Sequence, residues 1–390
     1  MKKICILTAT RAEYGLLRSL IEKLKGESDI DTNIVATGAH LSPEFGLTFQ
    51  EIENDGFKID KKIEMLVSAD TPSSISKAMG LAMIGFADYF KDSNPDLLVI
   101  LGDRYESLAV ATVAMNQRIP IVHLHGGEST EGLIDEAIRH AITKLSYLHF
   151  TSTDVYRNRV IQLGEHPDRV FNVGSIGVDN IRRMKLMEKE QLEKDLEFSL
   201  KKSYAVVTFH PVTLDNESSS QQIDQLLKVC AENKNYNYIF TKGNSDAHGR
   251  VINQRIDEYI TKHTNGKAFT SLGVLRYLSA VKYSSMVIGN SSSGIIEVPS
   301  FRVPTVNIGD RQKGRVQATS IINCFPESSS INNAISKSQS KDFLDIVQKT
   351  INPYEKTGTS EAISKKILEY VRENKFDIKK EFYDLKIMEE

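Results

Sequence analysis

Residues 123–140, HLHGGESTEGLIDEAIRH, gather His123, His125 and His140, the carboxylates Glu128, Glu131, Asp135 and Glu136, Arg139 and three glycines directly after the apolar run Ile119–Val122. Acids and imidazoles beside bare backbone suit proton transfer to and from a bound molecule. A helix is expected to begin near Leu133, and on it Asp135 with Arg139, and Glu136 with His140, are four residues apart and share a face. The pattern H-x-H-x-x-E also contains metal-ligand types. It has no H-E-x-x-H helix and no cysteine partner, so the residues call for no metal. His123 and His140 read as structural histidines satisfied by their surroundings.

Four other stretches follow apolar runs. In LVILGDRYES, residues 98–107, Gly102 leads into Asp103, Arg104 and Glu106; on this segment alone Asp103 fits a helix N-cap, and beside the histidine-rich stretch it fits an acid or base. TATRAEYG, residues 8–15, lacks the G-x-G-x-x-G of a dinucleotide loop, but Arg11 at a turn opening a helix suits a phosphate as well as solvent. In VVTFHPVT, residues 206–213, Pro211 forces a turn that aims His210 outward. MVIGNSSSGIIEVPSF, residues 286–301, sets Ser291, Ser292 and Ser293 between glycines at the start of a helix, which predicts an anion site. Glu297 on that helix would repel a phosphate and suits sugar hydroxyls, such as those of a ribose. Arg311 and Arg315 in GDRQKGR add positive charge after the next apolar run.

Parallel strands joined by crossover helices would place such residues. The runs Ile4–Leu7, Asn33–Ala36, Leu97–Leu101, Ile119–Val122, Leu148–Thr151 and Val170–Val173 alternate with amphipathic segments, and Ala205–Phe209, Tyr238–Thr241, Met286–Gly289 and Thr305–Ile308 repeat the rhythm. The fold class expected is α/β, with two Rossmann-like doubly wound domains facing a cleft and ligands at the strand carboxyl ends. We place an N-terminal domain at 1–175, a charged linker at 176–202, a second domain at 203–360 and a helical tail at 361–390 that packs back on the first. A net charge of −2 argues against nucleic acid as partner. No apolar stretch reaches the roughly 20 residues of a membrane span, so a cytoplasmic location with no membrane partner is expected. Cys5, Cys230 and Cys324 are far apart and read as incidental thiols.

Taken together, RAEYG at 11–15, LGDRYE, HLHGGE with IDEAIRHAITKLS, FHPVT, GNSSSGIIEVPS and NIGDRQKGR resemble the hydrolysing UDP-N-acetylglucosamine 2-epimerases of sialic acid and related nonulosonate biosynthesis, in order from Lys3 to about Arg315. The resemblance implies the glycosyltransferase-B type of architecture, with the nucleotide held mainly by the second domain. By similarity, Arg11, Ser291, Ser292 and Arg311 hold the diphosphate with His210 beside it, Glu297 takes the ribose hydroxyls, and Asn244 lies near the base. Asp103, Glu128 and Asp135, with His125 as an alternative base, supply acid and base groups. Arg104, His40 and Arg139 order the sugar. This sequence departs from some members in having His125 where they have glutamate, and from others in having Gly15 where they have serine.

The implied reaction converts UDP-N-acetylglucosamine and water to N-acetylmannosamine and UDP, by elimination to a glycal and then hydration. A nucleotide sugar is then the partner, and no cofactor is needed. The same residues fit UDP-2,4-diacetamido-2,4,6-trideoxyglucose as substrate. A non-hydrolysing 2-epimerase, a glycosyltransferase and a non-catalytic UDP-sugar sensor are the other readings. A homo-oligomer, dimer or tetramer, is expected from the general prevalence of symmetric assemblies.

Overall fold

Strand pairing is parallel throughout and divides the chain into two α/β units, seen in a computed structural model that describes residues 1–69, 71–131, 133–212, 219–243 and 249–385. The first unit comprises residues 1–128, 134–180 and 356 onward; the second comprises 129–133 and 181–355. The sheet of the first unit contains β1 (Lys2–Thr8), β2 (Ile30–Thr37), β3 (Lys61–Ile63), β4 (Leu97–Leu101), β5 (Ile121–Leu124), β6 (Leu148–Thr151) and β7 (Val170–Asn172), in the order β3-β2-β1-β4-β5-β6-β7. The second sheet contains β8 (Tyr204–Thr208), β9 (Asn237–Thr241), β10 (Gly266–Phe269), β11 (Met286–Gly289), β12 (Thr305–Ile308) and β13 (Ile321–Cys324), in the order β10-β9-β8-β11-β12-β13. Both orders reverse direction once, between β1 and β4 and between β8 and β11. Each unit is a Rossmann-like domain, and the reversal points are where open parallel sheets bind ligands.

Each sheet is covered on both faces, as its continuous apolar strands require. In the first unit, Leu17, Leu20, Ile21 and Leu24 of the helix Arg11–Lys25 pack one face together with Ile363, Ile367 and Val371 of the helix Thr359–Arg372. Phe86 and Phe90 of the helix Pro72–Ser93 and Val110 and Val113 of the helix Tyr105–Asn116 pack the other. A fully buried side chain of this size contributes about 1.5–3 kcal/mol. The helix Arg11–Lys25 starts at Thr10, whose hydroxyl accepts from the Glu13 N–H while the Glu13 carboxylate accepts from the Thr10 N–H, a reciprocal cap.

Three strands have no counterpart in the sequence reading: β3, β10 and β13. All lie at sheet edges, where half of the strand meets solvent and the apolar run is lost. The expected linker at 176–202 is different in kind. It forms the helices Ile176–Arg183 and Lys189–Leu196, and Leu192, Leu196 and Leu200 are buried against Tyr204 and Val206 in the second unit. Leucines spaced by four within a charged sequence make a helix stripe, which a search for contiguous apolar runs passes over.

After the helix Thr359–Arg372 the chain continues along the first unit. Tyr383 N–H donates to the Gly164 carbonyl at 3.0 Å, and Lys380 Nζ donates to the Ser146 carbonyl at 2.6 Å and to Glu165 at 2.8 Å. Glu165 is fully buried and also meets Lys144 Nζ at 2.6 Å and His149 Nε2 at 3.1 Å. Burial alone would raise Glu165, but its hydrogen-bonded partners outweigh that and hold it at about 2. Burial pushes His149 down and favours its neutral form, so the lysine ammoniums supply the compensating charge. A carboxyl lowered from 4.5 to about 2 adds stability above its ordinary value and loses it as pH falls through the folded one. The stability gap between the protein and Glu165→Gln should therefore be widest above about pH 4.5 and close toward pH 2, in urea unfolding followed across pH. A gap that did not change with pH would mean that Glu165 acts through packing alone.

Candidate functional site

At the carboxyl edge of the first sheet, the turn after β4 carries Asp103. The helix Tyr105–Asn116 is capped at Arg104 and receives no side-chain cap, so Asp103 is not the N-cap its segment suggested. Its carboxylate meets Arg139 instead. Arg139 Nε donates to Asp103 Oδ2 at 2.9 Å, and a second guanidinium N–H donates to the same oxygen. Arg139 sits on the helix Asp135–Leu145 and is only 1% exposed, which a guanidinium tolerates when its donors are used. It also donates to Glu136 at 2.6 Å and to the Glu128 carbonyl at 3.0 Å. Glu136 in turn meets His140 Nε2 at 3.1 Å.

The loop after β5 places the next groups. His125 has a left-handed backbone with φ of 65°, a conformation that costs a non-glycine residue energy and is concentrated at functional sites. Its Nδ1 lies 3.5 Å from Glu128 Oε1, and Glu128, 3% exposed, also accepts from Ser152 Oγ at 2.9 Å. Gly127 can be nothing else, because its φ is positive and a Cβ there would lie 2.4 Å from the Tyr156 carbonyl. Asp135 opens the helix and is half-buried.

At the end of β1, Arg11 is paired with Glu51 at 2.8 Å. Arg104 pairs with the fully buried Glu106 at 3.2 Å. Burial pushes Glu13 up to about 7, opposed by Arg104 and two backbone N–H groups and assisted by Glu106. His40 corrects an expectation. It is fully buried, its two ring nitrogens meet Thr8 Oγ1 and Thr48 Oγ1, each at 2.9 Å, and burial lowers it to about 4. With both nitrogens occupied inside the fold, its ring has no atom to offer a sugar; it braces the ends of β1 and β2.

The second unit has its own cluster at the β8/β11 reversal. Asn290 clamps the end of β8: its Oδ1 accepts from the His210 N–H at 2.7 Å and its Nδ2 donates to the His210 carbonyl at 2.8 Å. β8 and β11 approach so closely that a Cβ on Gly289 would lie 1.9 Å from the Thr208 carbonyl. Arg311 at 3.1 Å and Gln312 at 2.8 Å both donate to the Asn290 carbonyl, which brings Arg311 to the serine loop. The helix there, Ser292–Ile296, has only five residues, so its dipole is weak and the polar groups of the loop are its hydroxyls and Arg311. Ser291 accepts from the Ser293 N–H as the cap, and Ser293 Oγ meets Tyr277 Oη at 2.9 Å. Glu297 is half-buried where that helix ends. Asn244 lies outside the described residues.

The structure thus gathers Asp103, Glu128 and Arg139 in the first unit, and His210, Ser291 and Arg311 in the second. Asn290 and Tyr277 were absent from the candidates read from sequence, and Glu136 entered there only as the helix-face neighbour of His140, a contact the structure contains. Glu136 had a signal in its spacing of three from Arg139, and Asn290 lies inside the quoted serine motif; Tyr277 had none. Among the described residues, no three His, Cys, Asp or Glu side chains converge as metal ligands, and no helix is long and apolar enough to cross a membrane.

A family profile described as UDP-N-acetylglucosamine 2-epimerase matches residues 22–368. The chain is 48% identical to a Campylobacter jejuni protein named GDP/UDP-N,N'-diacetylbacillosamine 2-epimerase (hydrolyzing), over 88% of each chain. It is 41% identical to an Escherichia coli polysialic acid biosynthesis protein, over 99% of this chain and 98% of that one. The structure of the Neisseria meningitidis UDP-GlcNAc 2-epimerase bound to UDP-GlcNAc superposes with a TM-score of 0.81 at 18% identity, covering 95% of this chain and all of the other, a likeness of fold. With a profile that spans most of its length and a fold to match, the chain belongs to the UDP-N-acetylglucosamine 2-epimerase family.

Proposed function

We propose that the protein is a hydrolysing 2-epimerase that converts UDP-2,4-diacetamido-2,4,6-trideoxyglucose and water to 2,4-diacetamido-2,4,6-trideoxymannose and UDP. The carrying observation is the 48% identity over 88% of both chains to the Campylobacter jejuni enzyme named for this sugar and for hydrolysis. That favours the diacetamido sugar, held second on sequence alone, over UDP-N-acetylglucosamine. A relative linked to polysialic acid that matches almost end to end keeps UDP-N-acetylglucosamine as the second reading.

The C2–H bond is too weak an acid to be broken alone at neutral pH. Elimination couples its loss to departure of UDP from C1: a base takes the C2 proton, the C1–O bond breaks, and a 1,2-glycal forms. Hydration then adds hydroxide from water to C1 and a proton to the opposite face of C2. Two proton transfers on opposite faces call for more than one titratable group, and Asp103, Glu128 and Asp135 are assigned to them, with His125 beside Glu128 as an alternative base. Arg104 and Arg139 order the sugar side, Arg139 through its hold on Asp103. Arg11, His210, Ser291, Ser292 and Arg311 are assigned to the diphosphate, where donors stabilise the departing charge. Glu297 is assigned to the ribose hydroxyls.

Run in D₂O with each UDP-sugar in turn, the enzyme should give free 2-epimeric sugar with one deuterium at C2 and an equal amount of UDP, with the higher kcat/KM for the diacetamido substrate, as read by proton NMR and mass spectrometry. Retained C2 hydrogen would rule out elimination. Accumulation of the epimeric sugar nucleotide would make the enzyme non-hydrolysing. Preference for UDP-N-acetylglucosamine would move the second reading to first place, and binding without turnover would make the protein a sensor.

A further inference from the structure

His123 is a buried titratable group beside Asp103 in the fold that the proposed mechanism leaves unused. It lies within β5, not beyond its end as the apolar run suggested, and is fully buried. Its Nε2 is 2.8 Å from the Gly102 carbonyl and its Nδ1 is 3.2 Å from Thr143 Oγ1. A carbonyl only accepts, so Nε2 carries the proton and Nδ1 is left as an acceptor, facing a Thr143 hydroxyl whose single proton it shares with the Arg139 carbonyl. Burial lowers the ring to about 3, so it stays neutral and keeps this tautomer wherever the enzyme works.

The two partners of the ring are the two supports of Asp103. Gly102 immediately precedes Asp103 and has a φ of 79°, where the strand breaks away from its ladder; its N–H still donates to the Leu124 carbonyl at 3.0 Å. Its carbonyl is a half-buried acceptor, and His123 supplies it with a donor held inside the fold. Thr143 lies one turn beyond Arg139 on the helix Asp135–Leu145 and also meets the Arg139 carbonyl at 3.0 Å. One ring therefore ties the backbone that carries Asp103 to the helix that carries its guanidinium partner. Gly126 makes room for it: a Cβ there would lie 3.0 Å from His123 Nδ1 and 3.1 Å from Thr143 Oγ1.

We propose that His123 is a positioning residue that aims the Asp103 carboxylate by fixing the Gly102 carbonyl and the Arg139 helix together. The proposal rests on the reading of Asp103 as a reacting carboxylate. A displaced reacting group costs about 10²-fold per ångström, so His123→Phe should lower kcat by about 10-fold to 10²-fold while KM and UDP affinity change less than about twofold. His123→Gln, whose amide both donates and accepts, should recover part of kcat. Residues acting as one unit are not additive, so in an Asp103→Asn background His123→Phe should cost less than about threefold more.

If His123→Phe does not fold, Thr143→Val takes its place, with Thr143→Ser as the rescue. Wild-type kcat in His123→Phe or in Thr143→Val, or a full additive loss on top of Asp103→Asn, would overturn the positioning role. Near-normal kcat in Asp103→Asn alone would remove Asp103 from the chemistry and the role of His123 with it, an outcome distinct from additivity.

Discussion

Asp103→Asn should lower kcat by about 10²-fold or more while leaving UDP binding close to that of the parent protein. Asparagine keeps the size of the side chain and an oxygen for Arg139, but it cannot take a proton from C2. The assigned diphosphate ligands belong to the second unit apart from Arg11, and Arg11 is paired with Glu51, so the substitution leaves the UDP site intact. Steady-state kinetics with the diacetamido substrate and calorimetric titration of UDP measure the two halves separately. A fall in UDP affinity as large as the fall in kcat would show that Asp103 supports binding and not the chemical step.

Arg139→Ala should be the most destabilising single change in the first unit's site, by about 3 kcal/mol. The guanidinium is 1% exposed and stands between Asp103, Glu136 and the Glu128 carbonyl. Its removal leaves two carboxylates without their shared counter-charge, an orphaned carbonyl and the volume of a large side chain. Asp103 and Glu136 keep side-chain exposures of 23% and 28%, and water relieves part of the penalty, which holds the estimate at the low end for a broken buried pair. Arg139→Lys keeps the charge but not the planar fork, so it should recover stability more than activity. Urea unfolding measures the first effect and kcat the second; a loss below about 0.5 kcal/mol in Arg139→Ala would place it among ordinary surface changes.

Periodicity and strand-end chemistry made much of this protein legible before folding. The alternation of apolar runs with amphipathic segments specified two parallel-sheet domains, because strands buried on both faces must be continuously apolar. Asp103, Glu128, His210 and the serine loop were visible because each follows such a run. The edge strands β3, β10 and β13 were not, since a half-exposed strand has no comparable signature, and neither was the leucine stripe of Lys189–Leu196. Tertiary structure alone decided the partners. Asp103 and Arg139 are 36 residues apart, and nothing in either segment shows that the arginine takes the carboxylate away from a helix cap. His40 shows the same division: it sits in a motif that suggests sugar binding, whereas both its ring nitrogens are occupied inside the fold. His123 was read as structural from the sequence, but its partners were not legible there. A histidine's role is set by what its two nitrogens meet and by how far burial disfavours its charge, and those are properties of packing among segments distant in sequence.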